Sequence, residues 1–338
     1  MGCVQRPRQP KGQQRRRNCV FVASPFKHVQ LWIRIHLHSA QPLTCMAVSG
    51  LIRLELCCPK NHQPGMSNLP AEASALTFSA YRLRPDGAFD STELTRGPWD
   101  AGHQHAGPPI ALAARSLVAA AQALGMQHVA RLTASVWRPI PIATLKLETA
   151  TDYAGRNVAH LSARLMSGDR ELARFTALAQ REAEVRVPRK LAGHPPPQAP
   201  ATPEASPGIE FPHRTGVTGY HDLVEMRTAE GTLLRGPCAI WFRLRYTLVE
   251  GEAPGALERV AVAADSGNGI SAVLDLRNYT FVNSDLTINL LRPAQGEWIC
   301  IDARTFIGPA GGGLAEARIF DVTGLIGRST QSLLVRPR

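Results

Sequence analysis

The chain has 338 residues, 44% hydrophobic and 19% charged, a balance that gives a buried core and excludes a disordered or fibrous protein. Its formal charge of +11 lies almost all at the front: residues 1–65 hold ten Lys/Arg against the single acid Glu55, leaving 28 basic and 26 acidic groups from Met66 onward. A near-neutral body lacks the electrostatic footprint of a nucleic-acid binder, so no nucleic-acid partner is expected.

In chain order, the first segment is residues 1–65, expected to be a non-native or disordered leader. It carries a basic start, the run Arg15, Arg16, Arg17 and five of the seven cysteines. Its apolar segment Leu43–Cys58 is interrupted by Arg53 and Glu55 and is too short to span a bilayer, so no membrane partner is expected. Beyond it only Cys238 and Cys300 remain, with no disulfide framework and no Cys/His spacing for zinc. The expected setting is reducing and cytoplasmic, with no metal and no cofactor.

Residues 66–186 form the expected N-terminal half. Pro108–Leu124 (PPIALAARSLVAAAQAL) predicts a helix buried on most sides, with prolines in its first turn and Gly125 as its stop. The alternating runs Val129–Trp137, Leu145–Thr149, Val158–Met166 and Glu171–Ala179 predict an antiparallel sheet. Residues 187–212 read as a linker, because eight of the 25 residues 188–212 are proline and such a stretch is expected neither to pair in a sheet nor to continue a helix.

The C-terminal half, 213–338, repeats that order. Cys238–Tyr246 precedes a predicted helix around Leu257–Leu274, and strands are predicted at Phe281–Leu290, Trp298–Thr305, Leu314–Phe320 and Arg328–Val335. Adding 154 to Leu132, Thr133, Arg138 and Pro139 lands on Leu286, Thr287, Arg292 and Pro293, and the register still holds at Thr176 and Thr330. The chain is therefore read as two copies of one α+β unit.

A buried helix wrapped by an antiparallel sheet, carrying GPWDAGHQHAGPPIALAAR, AADSGNGISAV, NSDLTINLLRP and GRSTQSLLVRP, resembles the thioesterase-like superfamily, and within it the type II acyl-CoA thioesterases. The resemblance implies a double hotdog fold in the α+β class, an acyl-CoA substrate, and hydrolysis to free acid and CoA by a water held between an Asp, a Thr or Ser, and a Gln. The Asp falls on Asp265 and the Gln on Gln331. The hydroxyl slot holds Asn283, beside Ser284, and an amide can bind a water but cannot relay its proton. The glycine turn falls on Gly107, whose N–H at a helix N-terminus would hold the oxyanion, with His105 beside it.

Each of these residues also has an ordinary reading. Asp265 in DSGNG would serve as a helix cap or solvated acid, Gln331 as a half-exposed strand residue, Asn283 as a turn or bulge residue, and His103, Gln104 and His105 as a loop entering the helix. Subtracting 154 from Asp265, Asn283 and Gln331 gives Ala111, Val129 and Ala177, so any site is single and belongs to the second half. Glycines 308–313 suit a hairpin better than a pyrophosphate cradle. The absence of GxSxG, and of any histidine after His221, argues against a Ser-His-Asp hydrolase. Two rival functions remain: a non-catalytic acyl-thioester binding protein, and a hotdog dehydratase or hydratase that uses His105. A homo-oligomer of double-hotdog protomers is compatible with all three.

Overall fold

The computed structural model describes residues 78–188, 197–209 and 216–338. The expected leader 1–65, the start of the N-terminal half and parts of the linker lie outside them.

Six strands precede the linker: β1 (Ser79–Leu83), β2 (Phe89–Ser91), β3 (His128–Val136), β4 (Thr144–Ala154), β5 (Val158–Ser167) and β6 (Arg170–Gln180). One lies within it, β7 (Gly208–Ile209), and eight follow: β8 (Val224–Gly231), β9 (Cys238–Leu244), β10 (Thr247–Val249), β11 (Tyr279–Asn283), β12 (Asp285–Leu290), β13 (Ile299–Ile307), β14 (Gly312–Asp321) and β15 (Gly324–Pro337). They form one sheet whose central order is β4-β5-β6-β3-β12-β15-β14-β13, antiparallel throughout. That order reads the same from either end when each strand is exchanged for its counterpart 154 residues away. β5 and β14 share both bounds at that offset.

Helix α1 (Gly107–Ala123) starts where the sequence places it, with Pro108 and Pro109 in its first turn. It stops at Gly125, whose φ of +70° suits glycine. The alanine and leucine side chains between Ile110 and Leu117 are fully buried. Its one charged residue, Arg115, is held by Glu252 through two bonds of 2.6 Å. A short helix α2 (Tyr220–Leu223) precedes β8.

The second half departs from expectation at two places. The helix expected around Leu257–Leu274 is split into α3 (Ala256–Ala264) and the single turn α4 (Gly267–Ile270), because Gly267 and Gly269 are poor helix formers and Asp265 caps the end of α3. The strand expected over Phe281–Leu290 breaks at Ser284. Both pieces pair with β15, but the register shifts by one residue between Asn283↔Leu333 and Thr287↔Thr330. Such a bulge redirects a side chain, here that of Asn283.

The linker also differs. Gly208 and Ile209 pair with Arg227 and Met226 of β8, Ala201 accepts the indole N–H of Trp241 at 2.8 Å, and Pro197 accepts the N–H of Leu325 at 2.8 Å. Residues 197–209 are thus bound to the sheet, since proline removes a donor but keeps its carbonyl acceptor. Among the described residues no helix is long and apolar enough to cross a membrane.

Candidate active site

Asp265 closes α3 after the buried run Val260–Ala264 and is itself only 4% exposed. The C-terminal end of a helix is the negative end of its dipole, so the helix does nothing to stabilise a carboxylate there. A buried carboxylate is costly unless side chains supply donors. Two do: Asn283 Nδ2 donates to Oδ1 at 2.9 Å, and His105 Nδ1 lies 3.0 Å from Oδ2. Asp265 is therefore both a helix cap and a buried, bracketed acid, and Asn283 is both a bulge residue and its partner.

His105 arrives from the loop that enters α1. Its ring stacks on Tyr220 with centroids 3.8 Å apart and planes 4° from parallel. The Tyr220 hydroxyl donates to the Val262 carbonyl at 2.8 Å, which leaves Ser266 Oγ, 2.9 Å away, to donate to it. Burial, with a smaller contribution from the charge of Asp265, raises the phenol far above its ordinary range, so Tyr220 keeps its proton. Tyr220 thereby fixes the plane of His105 against the end of α3.

His105 Nδ1 is also 3.1 Å from the N–H of Gly107. One nitrogen cannot accept from Gly107 and donate to Asp265 at once. The two contacts are alternatives: as an acceptor Nδ1 takes the Gly107 N–H at the start of α1, and as Nδ1–H it donates to Asp265. The next two helical residues are prolines, so that N–H has no neighbouring donor in the first turn. A Cβ at Gly107 would stand 2.9 Å from the Val262 carbonyl oxygen, which explains the glycine: here α1 and α3 meet backbone to backbone.

Gln331 is 2% exposed, not half-exposed. Its Oε1 accepts from the Asn268 N–H at 2.9 Å and its Nε2 donates to the Asp265 carbonyl at 3.1 Å. Gln331 thus clamps the turn that carries Asp265 rather than touching its carboxylate. A Cβ at Gly267 would fall 2.9 Å from Gln331 Oε1, so that turn needs a glycine beside the amide.

Asp265, Asn283, Gln331, His105 and Gly107 come together. Ser284 does not: it is exposed at the β11–β12 break, with its backbone paired to Ser332 and Val136. Gln104 is structural, bonded to the Tyr81 hydroxyl at 2.6 Å and to Pro141 O at 2.7 Å. His103 pairs with Asp100 at 3.1 Å. The glycines at 308–313 form the hairpin between β13 and β14. Sequence reading missed Tyr220, Ser266 and Asn268. Nothing in the pattern singled out Tyr220; Ser266 and Asn268 sat in the DSGNG segment but read as turn residues.

A buried acid beside a histidine at the N-terminus of a helix matches the needs of carbonyl hydrolysis, and the sequence comparison decides the family. The model of the acyl-CoA thioesterase N-terminal domain matches residues 95–180, and that of the acyl-CoA thioesterase C-terminal domain matches residues 196–335. The chain belongs to the acyl-CoA thioesterase family. It is a thioester hydrolase. Among solved structures it is similar to a candidate thioesterase II from Thermobifida fusca YX, at 17% identity over 74% of this chain and 91% of that one, with a TM-score of 0.59. A candidate thioesterase from Novosphingobium aromaticivorans DSM 12444 has 20% identity over 76% and 98%, with a TM-score of 0.58. A protein of unknown function with a hot dog fold from Alicyclobacillus acidocaldarius has 13% identity over 74% and 92%, also with a TM-score of 0.58. At such identities the likeness shows the fold alone, and the acyl-CoA thioesterase fold here is hotdog. No curated protein matches the chain.

Proposed function

We propose that this thioester hydrolase is a type II enzyme that cleaves acyl-CoA to a free carboxylic acid and CoA, and that it is a double hotdog with halves 66–186 and 213–338 joined by 187–212. The observation that carries the reading is the buried Asp265 carboxylate, bracketed by Asn283 and His105. Each carboxylate oxygen keeps a lone pair for a water. Asp265 takes a proton from that water as its oxygen attacks the thioester carbonyl carbon. The Gly107 N–H, at the positive end of α1, holds the oxygen that becomes negative. The carbon–sulfur bond then breaks, and the departing thiolate takes the proton that Asp265 received, which restores the carboxylate.

In this scheme Asn283 orients the carboxylate and Gln331 holds its turn in place. The counterpart residues Ala111, Val129 and Ala177 are apolar and buried, which supports one site per chain. The buried free thiols Cys238 and Cys300 suit a reducing cytoplasm. Free CoA released from a series of acyl-CoA substrates of increasing chain length tests the reading. Release above the uncatalysed rate is expected with at least one of them, and none above it with any of them would overturn the proposal.

A further inference from the structure

The two halves treat one equivalent position in opposite ways. In the second half Arg292 Nη2 donates to the buried carboxylate of Asp321 at 2.9 Å, and the N–H groups of Gln295 and Thr323 each donate to the same carboxylate at 2.8 Å. Arg292 is thus locked into the protein. Subtracting 154 gives Arg138 and Ser167: the arginine is kept and its acid is replaced by a hydroxyl. Arg138 is exposed, and where the second half has Gly324 the first has a further exposed arginine, Arg170. Among the described residues neither arginine forms an ion pair, in contrast to Arg292.

Arg138, Ser167 and Arg170 line one cleft of about 300 Å³, together with His103, Pro139 and Leu172. The His103 Nδ1 is engaged by Asp100, and Arg138 and Arg170 supply the cleft's two guanidinium groups. His105 of the candidate active site follows His103 by two residues, a reach of at most about 7 Å along the backbone. The cleft therefore adjoins the site by way of the segment that enters α1.

We propose that this cleft binds a phosphate group of the CoA portion of the substrate, with Arg138 and Arg170 as the binding cations. The proposal rests on the acyl-CoA reading above. Guanidinium groups suit phosphate because their fork of donors matches its oxygens. Two unpaired arginines bring that charge to the cleft without having to break a protein ion pair first. They bind and position the substrate; they take no part in the chemistry at the thioester.

Calorimetric binding of CoA and of pantetheine, its phosphate-free analogue, tests the proposal on the full chain without turnover. The wild type is expected to bind CoA more tightly, and Arg138→Gln and Arg170→Gln are each expected to weaken CoA by about tenfold while leaving pantetheine unchanged. Ser167→Asp, which recreates the acid of the second half, is expected to weaken CoA in the same way while both arginines remain. No preference for CoA in the wild type, or a preference that survives the double variant, would overturn the site. 4′-Phosphopantetheine distinguishes the phosphates: binding as tight as CoA assigns the cleft to the phosphate next to pantetheine, and binding as weak as pantetheine assigns it to those nearer the nucleoside. Intact CoA preference in a protein that hydrolyses no acyl-CoA would count against the catalytic reading and not against this one.

Discussion

The hydroxyls of Thr133 and Thr287 lie 3.3 Å apart, and the two residues stand directly opposite each other where β3 pairs with β12. They are also 154 residues apart, so each meets its own counterpart, as on the two-fold axis of a dimer. The neighbours follow suit, with Leu132 opposite Ile288 and Leu286 opposite Ala134. A double-mutant cycle of Thr133→Val and Thr287→Val is expected to give a coupling of about 0.5–1 kcal/mol in urea denaturation. Additive effects would mean the pair contributes nothing at this seam.

The turn that carries Asp265 depends on a missing side chain. Gly267→Ala would press a methyl group against Gln331 Oε1, loosening the clamp on Asn268 and Asp265. A several-fold drop in kcat is expected with a loss of stability of roughly 1 kcal/mol. Gly107→Ala meets backbone instead, at Val262, and is expected to cost more stability, about 1–3 kcal/mol, together with activity. Thermal melts and steady-state kinetics of both variants check the ordering.

Asn283 supplies one of the two side-chain donors beside the Asp265 carboxylate. Asn283→Leu keeps comparable bulk but removes that donor, and kcat is expected to fall about 10- to 100-fold by the scale of a lost hydrogen bond to a charged group. Asn283→Thr puts back a hydroxyl and is expected to retain most activity. Equal kcat for wild type and the leucine variant would show that the bond is idle.

Acid stability isolates the Arg292–Asp321 lock. Burial pushes the Asp321 carboxyl up, but the donors from Arg292, Gln295 and Thr323 outweigh it and hold the group down at about 2, below its ordinary 3.8. A depressed folded value means that this stabilisation is complete above the ordinary value and is lost as pH falls through about 2. Asp321→Asn is expected to destabilise at neutral pH by about 3 kcal/mol, with the gap to wild type closing below pH 4 in urea melts. A gap that does not change with pH would assign the loss to packing alone.

Much of the fold was legible because it is written in local pattern. The apolar run from Ile110 to Ala121 and its flanking Pro and Gly define α1, and the 154-residue offset placed strand against strand. What escaped depends on three-dimensional contact. The grip of Gln331, from a distant strand, on the turn after Ala264 is such a contact. The break at Ser284 arises from pairing with two partners in different registers, which no alternation of residues reveals. Asp265, Asn283 and Gln331 were found through resemblance, but Gln331's grip on the backbone rather than on the carboxylate was not. Tyr220 escaped because only the folded chain lays its ring on His105. The proline-rich segment was read from its missing donors, while its carbonyls are what bind it to the sheet.

The central claim is that the Asp265 carboxylate activates the water, and Asp265→Asn tests it with little change of shape. Asn283 Nδ2 can still donate to the remaining carbonyl oxygen, so folding and KM should hold, while kcat is expected to fall about 10²- to 10⁴-fold, the range of a lost general base. A kcat within a few-fold of wild type, in a variant with an unchanged melt, would contradict the account.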